Sequence, residues 1–156
     1  MSTRLTQMGT PMVESQSLKL VLAASAVTDQ ISHYLSESLL NLGYEGATST
    51  TLNFLSALDC GINYGSEIAR SLRVSRQMVA KTVKQLTLLG YLQQIEGQGK
   101  QKQIRFTEKG ELLMADSRRL LAELDGNLAS TVDGTSLQST LDQLNKVAQT
   151  VTELSR

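Results

Sequence analysis

Five side chains between positions 76 and 84 have the chemistry needed to read and hold a nucleic acid. An arginine can donate two hydrogen bonds to guanine, a glutamine can pair with adenine, and an alanine methyl group can contact the methyl group of thymine. Lysines neutralise phosphates. Helical periodicity places all five on one side of a helix. They are Arg76, Gln77, Ala80, Lys81 and Lys84. The alternative interpretation is a polar helix face that only contacts solvent.

A helix-turn-helix would position these side chains. The sequence predicts a short first helix, a tight connection at Arg73 and Val74, and a second helix that ends at Gly90. Ser75 is a good N-cap for the second helix, because its hydroxyl can accept a hydrogen bond from a backbone N–H two or three residues on. The predicted internal core consists of Ile68, Ala69, Leu72, Val74, Val79, Val83 and Leu86.

A basic β-hairpin is predicted immediately after the second helix. Residues 91–95 and 103–106 alternate as strands do, and Gly97 and Gly99 mark a flexible tip. Two lysines lie at or near that tip, and an arginine lies on the returning strand. A basic hairpin in this place is a wing that can reach phosphates or the adjacent minor groove. The predicted DNA contacts therefore include Ser75 and the five residues above, together with Lys100, Lys102 and Arg105.

The charge distribution supports a polyanionic partner, although the whole chain has a formal net charge of zero. Residues 67–109 contain nine basic and three acidic side chains, which gives +6. Residues 1–66 and residues 110–156 each carry −3. A basic centre between two acidic arms attracts a polyanion to the centre and holds the arms away from it. A winged-helix module that binds protein is the competing interpretation, and this distribution favours DNA.

The rest of the chain is predicted to be helical, so the fold class is mainly α with a small β-hairpin. Residues 1–17 are predicted to be a disordered tail, residues 18–47 and 125–156 to be dimerisation helices, and residues 48–124 to be the DNA-binding lobe. Thr48 or Ser49 can cap a helix, and Thr107 can cap the helix after the hairpin. The last helix carries a narrow apolar stripe, typical of a seam against partner helices: Leu137, Leu141, Leu144, Ala148, Val151 and Leu154.

Two segments, SEIARSLRVSRQMVAKTVKQLTLLGYL and IRFTEKGELL, resemble the MarR family of transcription regulators. The resemblance implies a six-helix subunit with a two-stranded wing, whose first and last helices intertwine with those of a second copy. It also implies a homodimer on a pseudo-palindromic site, usually acting as a repressor. The dimer would release its DNA when a small phenolic or lipophilic ligand binds to it, or when a cysteine is oxidised.

The sequence departs from the family pattern at four positions. Gln98 and Lys100 stand where the family wing commonly has an aspartate and an arginine, Phe106 replaces a leucine, and Lys81 stands where an arginine is frequent. Lysine is a strongly hydrated point charge that gains less than arginine in a narrow groove. Dimerisation is also expected on physical grounds. One helix-turn-helix contacts few base pairs, whereas two copies about 34 Å apart contact enough base pairs to give useful specificity.

Candidate sensor residues are few. Cys60 is the single thiol and the candidate redox residue; Asp59 beside it would disfavour the thiolate, so a buried or half-buried structural cysteine is expected. His33 lies with Asp29 and Glu37 at four-residue steps, which is a poor metal set, so neither a metal nor a cofactor is expected. The candidate ligand-binding residues are His33, Tyr34, Phe54 and Met114.

Enzymatic and membrane functions find no support in the sequence. No phosphate-binding glycine loop, nucleophile elbow or catalytic triad is evident. No run of 18 apolar residues predicts a membrane span, and the N-terminus lacks the apolar centre of a secretory signal. A cytoplasmic protein without catalytic activity is the expectation.

Overall fold

A computed structural model describes residues 15–155 of the chain. Most of the predicted disordered tail, residues 1–14, lies outside this range. The described elements comprise helices and one two-stranded antiparallel sheet, as the sequence predicts. In chain order they are α1 (Gln16–Asn41), α2 (Ser49–Asp59), α3 (Gly65–Leu72), α4 (Arg76–Leu88), β1 (Leu92–Glu96), β2 (Lys102–Phe106), α5 (Glu108–Thr131) and α6 (Gly134–Leu154).

Hydrogen-bonding side chains set where the helices begin. Ser15 accepts a hydrogen bond from the Leu18 N–H, so α1 starts two residues before the predicted position 18. Thr48 caps α2 as predicted, and it forms a reciprocal capping box with Thr51. Thr107 accepts from the Gly110 N–H at 3.1 Å, which fixes the start of α5.

The helix-turn-helix forms as predicted. Arg73 takes the left-handed conformation, with φ of 54°, and so ends α3 and turns the chain. Ser75 then accepts a hydrogen bond from the Met78 N–H at 3.1 Å and starts α4. The predicted core of the helix-turn-helix is largely confirmed, because five of its seven residues are buried: Ile68, Ala69, Val79, Val83 and Leu86. The other two, Leu72 and Val74, are half-buried.

The chain divides into two compact units, the first ending at Met114 and the second beginning at Ala115. The first contains α1 to β2 and the start of α5, with Tyr91, Leu55 and Ile68 among its fully buried side chains. Of the apolar residues near the start of α5, Leu113 and Met114 are buried, whereas Leu112 is 57% exposed.

The second unit contains the remainder of α5 and all of α6. Asp133 accepts a hydrogen bond from the Ser136 N–H and caps α6, which begins two residues before the predicted Ser136. No residue of α6 is buried, and its apolar stripe faces outward in a single chain. On α5, Arg119 is held by ion pairs to Asp116 and Glu123 at 3.0 and 2.8 Å.

Candidate nucleic-acid interface

The outward side of α4 is exposed along its length. The hydrophobic residues Val79, Val83 and Leu86 face the core, and the α-helical period then directs the intervening residues to solvent. The N-cap, Ser75, is exposed. All five residues of this helix that were predicted to contact DNA are exposed as well: Arg76, Gln77, Ala80, Lys81 and Lys84.

A groove of about 680 Å³ separates α4 from the hairpin. Its floor includes the buried side chains Val79, Val83 and Ile104. The structure brings together five of the predicted contact residues around it, from both elements: Arg76, Ala80, Lys84, Lys100 and Lys102.

The two faces of the hairpin differ in what they present. β1 and β2 pair antiparallel, with Gln94 opposite Ile104 and Gln93 opposite Arg105. Gln94 and Ile104 line the groove. Because successive residues of a strand point to opposite faces, Arg105 lies on the face away from the groove, where its Nε donates to Gln103 Oε1 at 3.2 Å.

A second concavity, of about 580 Å³, lies beside the other edge of α4. Lys81 and Lys84 border it together with Glu45 and Leu88. Lys84 therefore lines both depressions, whereas Lys81 belongs to the second alone. The two lysines thus extend the cationic surface of α4 beyond the groove.

The basic side chains of this surface lie outside the ion pairs of the described chain. Within residues 15–155, no basic side chain of α4 or of the hairpin forms an ion pair. Lys109, counted in the basic centre of the sequence, is engaged elsewhere: its Nζ donates to the Leu89 carbonyl at 2.9 Å and lies 4.7 Å from the centre of the Tyr91 ring. The remaining positive charge is free to meet an external anion.

Several groove residues were missed by sequence reasoning. Thr87 and Leu88 follow Ala80 by seven and eight positions, so extending the helical period would have found them. Gln94 could have been found from strand alternation, once its register with Ile104 was known. Nothing in the sequence pattern indicated Tyr64, whose Oη accepts a hydrogen bond from the Gln98 N–H at the wing tip.

The predicted ligand residues occupy different environments. His33 is exposed and Tyr34 is half-buried, whereas Phe54 and Met114 are buried. Phe54 borders a cavity of about 250 Å³ that is also lined by Leu72, Val74 and Met78. A ligand-binding role for the four residues stays a prediction.

The prediction that Cys60 is buried or half-buried is wrong. Cys60 is the C-cap residue of α2 and is exposed, because the chain turns away from the core at Gly61, whose φ is 92°. Across the described residues, no group of three or more histidine, cysteine, aspartate or glutamate side chains could hold a metal ion. No helix in that range is long and apolar enough to cross a bilayer.

The fold and the exposed basic elements define a winged helix-turn-helix. No protein-family model matches the sequence, and no curated protein matches it. Solved structures do match. A MarR transcriptional regulator from Methanosarcina mazei Go1 aligns with a TM-score of 0.72 and 17% identity, covering 90% of this chain and 93% of that one.

Two further structures agree. FabT from Streptococcus pneumoniae, solved in complex with DNA, aligns with a TM-score of 0.75 and 11% identity over 89% of this chain and 99% of that one. Wild-type MarR from E. coli, in its apo form, aligns with a TM-score of 0.65 and 17% identity over 82% of this chain and 95% of that one. The chain therefore has the winged-helix fold of the MarR-family regulators, and the prediction of that fold is confirmed.

Proposed function

We propose that this protein is a non-enzymatic transcription regulator that binds duplex DNA as a homodimer. The observation that carries the proposal is the groove between α4 and the hairpin, with unpaired cations at its rim on both elements. A helix in a major groove and a wing in the adjacent minor groove lie on either side of one sugar-phosphate strand. The groove is where that strand would lie.

The chemistry of the groove fits this role. Lys84 on α4 and Lys100 and Lys102 on the hairpin would neutralise phosphates from two directions. The apolar floor of Val79, Val83 and Ile104 suits deoxyribose rather than a charged group. Arg76, Gln77 and Ala80 lie in the first two turns of α4, where the side chains of a recognition helix reach base edges.

The apolar surface of the terminal helices supports the homodimer. On α6, Leu141, Leu144, Val147 and Val151 are 37–56% exposed in a single chain. On α1, Val21, Leu22 and Val27 are about 60% exposed. Complete burial of an exposed side chain of this size contributes about 1.5–3 kcal/mol before entropic costs, and these half-exposed side chains would each contribute part of that. A second copy of the chain would therefore stabilise these helices. Two recognition helices would then match a pseudo-palindromic site.

The regulatory part of the proposal is repression relieved by a small lipophilic or phenolic effector, in the cytoplasm. A ligand that binds one conformation more tightly shifts the separation of the two recognition helices. Oxidation of Cys60 is the competing route, favoured by the exposure of its thiol. Peroxide treatment of the wild type and of Cys60→Ser distinguishes them, because only the redox route makes release depend on the thiol.

Selection of bound sequences from random duplex DNA tests the function. An inverted repeat with half-sites about ten base pairs apart is expected. A winged-helix module that binds protein would instead enrich no sequence, even at low salt where electrostatic attraction is strongest. That result would overturn the proposal.

A further inference from the structure

We propose that Tyr64 is a positioning residue that latches the tip of the wing to the start of α3. The latch would set the angle between the wing and α4 before any DNA is bound. Its effect on DNA affinity rests on the proposed function, whereas the latch itself concerns the free protein.

Two consecutive residues hold the hairpin at two separate places. The Asn63 carbonyl accepts a hydrogen bond from the Ile104 N–H at 2.8 Å, in the middle of β2. The Tyr64 Oη accepts one from the Gln98 N–H at 3.3 Å, at the tip. Tyr64 is the N-cap residue of α3, so its backbone is fixed by the start of that helix while its side chain extends to the wing.

Gly97 permits the tyrosine ring to reach the tip. A Cβ at this position would stand 2.9 Å from Tyr64 Cε1 and 2.5 Å from the Gln101 carbonyl oxygen. Real Cβ atoms do not approach other atoms so closely. The absence of a side chain at Gly97 therefore lets the ring lie against the backbone of the hairpin.

The other constraints on the tip are few. Within the turn itself there is one hydrogen bond, from the Gln101 N–H to the Gln98 carbonyl at 3.4 Å, and Gly99 has a positive φ of 66°. Lys100 lies within this turn, and Lys102 follows it. Without the hydrogen bond to the Tyr64 hydroxyl, changes in the backbone dihedral angles of Gly97 and Gly99 would let the turn move. Both lysines would then move away from the groove.

Amide hydrogen exchange tests the latch without DNA. Tyr64→Phe keeps the ring but removes the acceptor, and the Gln98 amide is expected to exchange about three- to tenfold faster, since one hydrogen bond is lost. Gln98→Ala keeps the backbone donor and serves as the matched control, with exchange unchanged after correction for sequence. Equal exchange rates in wild type and Tyr64→Phe would refute the latch.

A double-mutant cycle tests the consequence for binding to a selected duplex. Tyr64→Phe is expected to weaken binding about three- to tenfold, on the same hydrogen-bond scale, but to have no effect once Lys100→Ala and Lys102→Ala are present. Equal weakening in both backgrounds would mean that Tyr64 acts through general stability, and the positioning role would be wrong. If the wild type binds no duplex, the proposed function fails, while the exchange experiment still decides the latch.

Discussion

Gly110, in the first turn of α5, lies directly against the carbonyl oxygen of Tyr91, the residue that precedes β1. A Cβ at Gly110 would overlap that oxygen and would stand 3.0 Å from the Phe106 ring. The same carbonyl accepts a hydrogen bond from the Thr107 N–H at 3.0 Å. The close approach therefore joins both ends of the hairpin to the start of α5, and it explains the glycine in the segment IRFTEKGELL.

Substitution of Gly110 by alanine is expected to destabilise the fold. Alanine has the higher helix propensity by up to about 1 kcal/mol, but forcing a methyl group into this contact costs about 1–3 kcal/mol or more because the obstacle is backbone. The steric overlap should outweigh the gain in helix propensity, so the net effect should be destabilising. The free energy of unfolding from urea titration measures the net effect.

Gly126 is the matched control on the same helix. A Cβ there would meet nothing within 4 Å, so Gly126→Ala should stabilise the protein by about 0.5–1 kcal/mol. Opposite signs for the two variants are expected. Similar stabilities for both would contradict the close contact at Gly110.

The two elements of the interface should respond differently to mutation. Arg76→Ala removes a side chain that we propose to face base edges, so it should cost about 1–3 kcal/mol and relax base preference. Lys100→Ala removes the proposed phosphate contact at the wing tip, so it should weaken all sequences similarly and lower the salt slope by about one. Titrations on selected and scrambled duplexes at several salt concentrations measure both.

Arg105→Ala is the control for the face of the hairpin. Its position opposite Gln93, away from the groove, predicts a smaller loss than Lys100→Ala. An Arg105→Ala loss that equals or exceeds that of Lys100→Ala would show that DNA meets the other face of the wing.

The stability of the fold should depend on the ionisation of Tyr91. Its hydroxyl donates to the Glu45 carbonyl at 2.8 Å, and burial, followed by the negative charge of Glu45, raises the pKa of Tyr91 above its ordinary value of 10.0. The neutral form is therefore favoured in the fold. This stability is fully present below about pH 10 and is lost as the pH rises towards the raised pKa.

Tyr91→Phe isolates this contribution. At neutral pH the variant should be less stable by about 0.5–1.5 kcal/mol, the net value of one hydrogen bond. Above about pH 10 the difference should shrink, because phenylalanine does not ionise. Unfolding curves of both proteins from pH 7 to pH 11 measure the difference. A gap that widens with pH would contradict the direction of the shift.

A charge on the apolar stripe of α6 should break the proposed homodimer. Leu144 is 37% exposed in the single chain, and Leu144→Asp would place a carboxylate in the interface, at a cost of several kcal/mol. Sedimentation should then show monomers. Asn145→Asp adds the same charge one position away, outside the predicted stripe, and should stay dimeric. Dimers in both variants would show that α6 does not form the interface.

The sequence predicted those features that depend on local chemistry. Ser75 is a cap because a serine hydroxyl accepts from the helix backbone. Gly99 marks a turn because glycine accepts a positive φ, which is 66° here. The exposure of Arg76, Lys81 and Lys84 followed from the helical period once Val79 and Val83 were assigned to the core. Helical and strand periodicity also predicted the order of elements and the class of fold.

Tertiary structure decided what lies far apart in the chain. Strand alternation places Arg105 and Lys102 on opposite faces of β2, but only the packing of the hairpin beside α4 shows that the face of Lys102 borders the groove. Packing buries Leu113 and leaves its neighbour Leu112 exposed, although both are leucines of the same helix. Cys60 is exposed, although cysteine is among the most often buried residue types. The contact of Tyr64 with Gln98 spans 34 positions. No periodic pattern encodes such a contact, because it depends on how separate elements pack together in three dimensions.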